Sequence, residues 1–103
     1  MYKVEFLPSA RRDMIEIMRY CCVELENPAF ADMLATEFVE AAETTGDMPY
    51  KNPMYVPIRP LKHEYRTILV RNYLMFYWVD ENSQTVVFAR VIHARRNYER
   101  FLS

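Results

Sequence analysis

A run of seven residues with no polar side chain to spare, Tyr73-Leu74-Met75-Phe76-Tyr77-Trp78-Val79, most limits what this chain can become. Aromatic and β-branched residues packed this densely read as a strand, and a strand apolar at every position needs cover on both faces. Similar runs flank it, Glu64 to Arg71 before and Thr85 to His93 after. Asn72 alone separates the first pair, and Asp80-Glu81-Asn82-Ser83 the second. Turn residues at those breaks predict an antiparallel meander. One face can take the chain's own helices. The other is expected to stand open until a second molecule covers it.

Upstream, Tyr2 to Leu7 alternates and predicts a first strand. Pro8 and Ser9 then mark a helix entry, with Ser9 as N-cap or Pro8 as an early helical residue. Ala10, Met14, Ile17, Met18, Cys21 and Leu25 recur at helical spacing, while Arg11, Arg12, Glu16 and Arg19 take the other side. Asn27-Pro28 should stop that helix. A second follows with Phe30, Met33, Leu34, Phe38 and Ala41 as its stripe, ending near Gly46, the single glycine and a natural residue beyond a helix C-terminus. Pro49, Pro53, Pro57 and Pro60 make the next stretch a stiffened connection. Arg95 to Leu102 has room for about two helical turns. The order β-α-α-β-β-β-(α) predicts an α+β fold, a helical hairpin packed on one face of a small, mainly antiparallel sheet, with residues 1–103 as a single domain.

The 103 residues suffice for a core without metal or disulfide staples. Cys21 and Cys22 are adjacent, match no zinc spacing and read as small apolar residues in a reduced compartment. No apolar run approaches the roughly 20 residues of a membrane helix, and no signal-peptide pattern opens the chain, so a cytoplasmic protein without a membrane partner is expected. The net charge of −1 conceals a division. Residues 1–49 hold four basic against ten acidic side chains, whereas residues 50–103 hold nine against four. A basic sheet half of this kind suits an anionic partner, nucleic acid or an acidic protein segment.

Several stretches, taken in order, resemble the RelE/ParE family of toxins from bacterial type II toxin–antitoxin modules. They are Val4-Glu5-Phe6-Leu7-Pro8-Ser9-Ala10, then Asp13 to Ile17 with Tyr20, then Glu64-Tyr65-Arg66, then Asn72 to Tyr77, and finally Arg90 to Asn97. The resemblance implies the RelE/ParE-like fold, no cofactor or metal, and a cognate antitoxin as partner. It also implies one of two activities. RelE-like members cut mRNA on the ribosome with a basic cluster, and ParE-like members bind and poison DNA gyrase. Of the RelE-like cluster, Arg66 is kept, but Ile68 and Leu74 stand where cations are expected. Arg95 or Arg96 keeps the last basic position, and Tyr98 is an approximate counterpart of the terminal tyrosine. Tyr73 to Tyr77 and Val91 to Asn97 look closer to the ParE branch.

The favoured expectation is therefore a ParE-like gyrase inhibitor, with a ribosome-dependent endoribonuclease as the alternative. In the alternative, His93 would be the general acid or base, Arg96 the phosphate clamp, Arg66 a second cation and Tyr98 a stacking or acid group. For partner binding the candidates are Arg90, Arg95, Arg96, Arg100 and Phe101, since grouped like charges beside a sheet edge suit an anionic partner. Arg90 shares the alternation of Phe88 and Ile92, so it is expected on their face, either snorkelling to the edge or waiting for a carboxylate. His63, with no second acid or ligand near it, reads as structural. A homodimer and a toxin–antitoxin hetero-oligomer both stay open.

Overall fold

Strands β2 (Arg66–Val70), β3 (Tyr73–Asp80) and β4 (Thr85–His93) form the expected meander in the computed structural model, which describes residues 1–96 and 98–102, without the side chains of Tyr98 and Glu99. The remaining elements are β1 (Lys3–Phe6), α1 (Pro8–Val23), α2 (Pro28–Asp47) and a 3-10 turn over Tyr98–Phe101, which replaces the two helical turns expected there. The sheet order is β1-β4-β3-β2. β1 lies parallel to β4, Lys3 opposite Thr85 and Phe6 opposite Phe88, while the other pairings are antiparallel. The result is two helices on a mixed four-stranded sheet.

An irregularity in β4 governs the packing. Phe76 pairs with Arg90 but Tyr77 pairs with Phe88, so Ala89 is an extra residue, a β-bulge. The extra residue inverts the alternation beyond it. Phe88 and Val91 face the helices with Met75 and Tyr77, whereas Ala89 and Ile92 lie on the opposite side with Phe76. Phe88 and Ile92 therefore do not share a face, and the expectation for Arg90 built on that alternation fails. Helix α1 supplies what the bulged backbone lacks. The Ser9 hydroxyl donates to the Ala89 carbonyl at 2.7 Å, and the Val91 N–H donates to Asp13 Oδ2 at 2.9 Å. Ser9 is thus not the N-cap. That position is Leu7, with Pro8 as first helical residue.

Both faces of the sheet are covered at its centre, while Leu69 on the edge strand β2 stays exposed. Leu34, Phe38, Ala42 and Cys21 of the helices bury Met75, Tyr77, Val86 and Phe88. The other face, expected to await a second molecule, is covered by the chain itself. The proline-stiffened connection runs back along β2, with Tyr55 N–H donating to Tyr65 O at 2.8 Å and Thr67 N–H to Pro53 O at 3.1 Å. That path lays Tyr55, Leu61 and Tyr65 over Phe76, and Phe101 and Leu102 complete the cover. The Tyr65 hydroxyl, donating to Leu102 O at 3.1 Å, fastens the two covering segments together.

At the helix ends, Asn27 Oδ1 accepts from the Phe30 N–H and caps α2. Leu25, beyond the end of α1, and Met33, beside Arg71, are exposed instead of core. Cys21 is buried and Cys22 exposed. Gly46 is not a residue past the helix end. It lies in the last turn of α2, and Met48 is the C-cap. Its role is close approach. The Tyr2 N–H donates to Gly46 O at 2.8 Å, and a Cβ at Gly46 would sit 3.1 Å from Tyr2 O and 3.6 Å from Val4 Cγ2. Gly46→Leu should therefore lower unfolding free energy by about 1–3 kcal/mol despite leucine's better helix propensity, read from urea denaturation. Unchanged stability would show that β1 and α2 can move apart freely.

Candidate functional site

Where α1 crosses the end of β4, a cleft of about 350 Å³ opens, lined by Asp13, Tyr20, Tyr73, His93, Arg96 and Phe101 among others. Its floor is an ion pair. Arg90 is re-aimed by the bulge, and its Nε and Nη2 donate to the two Asp13 carboxylate oxygens at 2.7 and 2.8 Å. With the Val91 N–H also bound, the Asp13 carboxylate takes three donors. Both side chains are largely buried, 24% and 12% exposed. The Asp13 hydrogen bonds raise the Arg90 pKa above its already high ordinary value. The carboxylate for which Arg90 waits is thus intramolecular.

Above this pair the cations gather around one ring. The Phe101 ring has the guanidinium carbons of Arg96, Arg90 and Arg100 at 4.8, 4.9 and 5.2 Å from its centroid. A π face attracts a cation at such distances. Arg95, Arg96 and Arg100 are exposed, so their charge reaches solvent. His93 stands beside them with its ring edge-on to Tyr73, centroids 5.3 Å apart. The Arg95 N–H donates to His93 Nδ1 at 3.1 Å, which assigns the proton of the neutral ring to Nε2. Burial raises the Tyr73 phenol pKa, so this hydroxyl is a hydrogen-bonding group and not a base near neutrality. The arrangement can bind anions. It offers cations, an imidazole N–H and an apolar wall.

Of the residues singled out from sequence, the structure brings together Arg90, His93, Arg96, Arg100 and Phe101, with Arg95 beside them. The Tyr98 side chain lies outside the described residues. Arg66 stands elsewhere. It pairs with Tyr77, whereas His93 pairs with Tyr73, a separation of four residues, or roughly 13 Å, along β3. Its Nη1 donates to Asn52 O and Tyr50 O at 2.8 and 3.3 Å, and its guanidinium lies over the Tyr50 ring. Sequence reasoning gave Asp13 no role in the site. The signal was there, since Asp13 follows Ala10 by three residues and precedes Ile17 by four, a carboxylate at the margin of an apolar stripe.

A second aromatic group lies at the far end of β3. The His63 imidazole stacks on Trp78 with centroids 3.6 Å apart and planes within 2°. Burial there, and to a lesser degree Lys62, holds the His63 pKa below its ordinary 6.5. Nearby, the Tyr2 and Tyr50 hydroxyls both donate to the Glu81 carboxylate, and the latter bond pushes the Tyr50 phenol up to about 12.

Compared with known proteins, residues 4–98 match the family model described as the ParE toxin of the type II toxin–antitoxin system parDE. No curated protein sequence matches the chain. Among solved structures, a chain of the chromosomal ParDE toxin–antitoxin system of P. aeruginosa superimposes with a TM-score of 0.74 at 15% identity, over 92% of this chain and 98% of that one. A chain of the RelBE2 toxin–antitoxin complex of Mycobacterium tuberculosis gives 0.60 at 25% identity, over 89% and 96%. The isolated RelE toxin of E. coli gives 0.58 at 16%, over 98% and 93%.

Two outcomes test this geometry. Asp13→Ala strands the Arg90 charge and should lower stability by about 2–4 kcal/mol, most of it recovered in Asp13→Ala/Arg90→Met. A double-variant loss equal to the sum of the Asp13→Ala and Arg90→Met losses would mean that the pair is not coupled. The second concerns acid. The unfolded chain, whose His63 pKa is the higher, takes up that proton first as pH falls. His63 therefore contributes stability that is complete above about 6.5 and lost as pH drops through its depressed folded value. Denaturation midpoints between neutrality and about pH 5 should decline less in His63→Phe, which keeps a stacked ring without titrating.

Proposed function

The chain belongs to the ParE toxin family of type II toxin–antitoxin systems, and from that premise we propose that it inhibits DNA gyrase by binding and is neutralised by a cognate antitoxin. One observation carries the choice of binding over cleavage. Metal-free RNA cleavage needs a base for the 2′-hydroxyl, a cation for the phosphorane and an acid for the leaving oxygen within one site. Here Arg66 is held by the carbonyls of Asn52 and Tyr50, away from His93 and Arg96, and Leu74 has no charge to offer.

The antitoxin reading rests on the neighbours, which include ParDE, RelBE2 and RelBE toxin–antitoxin assemblies, and on chemistry. Arg95, Arg96 and Arg100 are exposed cations beside an apolar wall. An acidic, apolar-punctuated segment folding onto that cleft would neutralise them and cover Tyr73 and Phe101. The endoribonuclease stays as the second reading because His93 and Arg96 line the same cleft.

Induction of the chain in bacteria separates the two. DNA-damage signalling with intact messages is the expected result. Ribosome-dependent mRNA cleavage that disappears in His93→Ala or Arg96→Ala would overturn the gyrase reading.

A further inference from the structure

The molecule carries a second cationic cleft, apart from the one at Arg96. It encloses about 390 Å³ and is lined by Tyr50, Lys62, His63, Glu64, Arg66, Trp78 and Val79. We infer that this cleft binds a short stretch of single-stranded nucleic acid, a base stacking onto the His63–Trp78 pair while Lys62 and Arg66 hold the flanking phosphates.

The argument starts from the stack. Two flat rings parallel at 3.6 Å form the start of a column that a third ring can extend, and Tyr65 fixes the column by meeting Trp78 edge-on at 5.9 Å. His63 is partly exposed. Proteins that hold single strands combine such stacking surfaces with cations that follow the backbone. The cations are present and one is already ordered. Arg66 is anchored to the Asn52 and Tyr50 carbonyls through the single nitrogen Nη1, and its guanidinium carries further donors. Ordering that side chain in advance removes part of the entropic cost of binding. Lys62 is exposed and adds a point charge beside the stack.

The surroundings agree in sign. Residues 50–63 contain Lys51, Arg59 and Lys62 and no Asp or Glu. Glu64 is the opposing charge among the lining residues, and the Glu81 carboxylate, which accepts from the Tyr2 and Tyr50 hydroxyls, lies outside that lining. An acidic peptide would use the same cations but could stack on the rings only where it carries an aromatic side chain, whereas every base presents a π face, so nucleic acid is the better fit. The inference stands whether or not gyrase is the target.

Trp78 is the single tryptophan of the chain and lines this cleft, so its emission reads the site directly. The full chain is titrated with a short oligothymidylate, and with polyglutamate of matched charge. Saturable quenching by the oligonucleotide is expected, with a log–log salt slope of about −1.4 for two phosphate contacts on a single strand. Lys62→Glu and His63→Ala should each weaken binding roughly tenfold. Arg19→Glu, the same charge change on α1, should not. Absent quenching, equal affinity in Lys62→Glu and His63→Ala, or polyglutamate binding as tightly as the oligonucleotide would each overturn the proposal.

Discussion

Strand β4 carries one residue more than β3 can match, and the backbone groups displaced around it need partners from outside the ladder. Ser9 and Asp13, one turn apart on α1, provide them. A helix that satisfies two backbone groups of a strand cannot slide or rotate on the sheet without leaving those groups unpaired. The bulge therefore sets where α1 lies and turns Arg90 toward Asp13. The cleft between α1 and the end of β4 is a consequence of that one additional residue.

The ion pair beneath the cleft affects the charges above it. Asp13 neutralises Arg90, and among the described residues no acid forms an ion pair with Arg95, Arg96 or Arg100. Their concentration around Phe101 is favourable to the ring and unfavourable among themselves. An incoming anion relieves that repulsion, so part of its binding free energy comes from strain in charge placement that already exists in the unbound protein.

Much of this was legible in the residues. The strand runs, the helical hairpin and the charge division are local patterns, and local patterns carry their own period. The basic cluster with His93 and Phe101 was legible too, because those residues are neighbours in sequence. What could not be read depended on distant pairing. Nothing in Lys3 to Phe6 says that it will lie parallel to Thr85 to Phe88. The bulge at Ala89 leaves no mark in composition, so the alternation of Phe88 and Ile92 misled. Ser9 looked like a cap and Gly46 like a terminator because those are their commonest local uses. Their true partners, the Ala89 carbonyl and the Tyr2 backbone, are set by tertiary approach. Arg66 was grouped with His93 by family pattern, and the pairing register keeps them apart.

The parallel pairing of β1 with β4 also governs when the molecule becomes itself. Lys3 must find Thr85, and the helical hairpin cannot lock onto the bulge until β4 exists. Contacts spanning that much chain form late and slowly. During synthesis the first strand waits until the chain has been made as far as Thr85 to Phe88. Helix-hairpin formation, which needs only local contacts, therefore precedes closure of the sheet, and between the two lies an interval in which the bulge and its cleft do not yet exist.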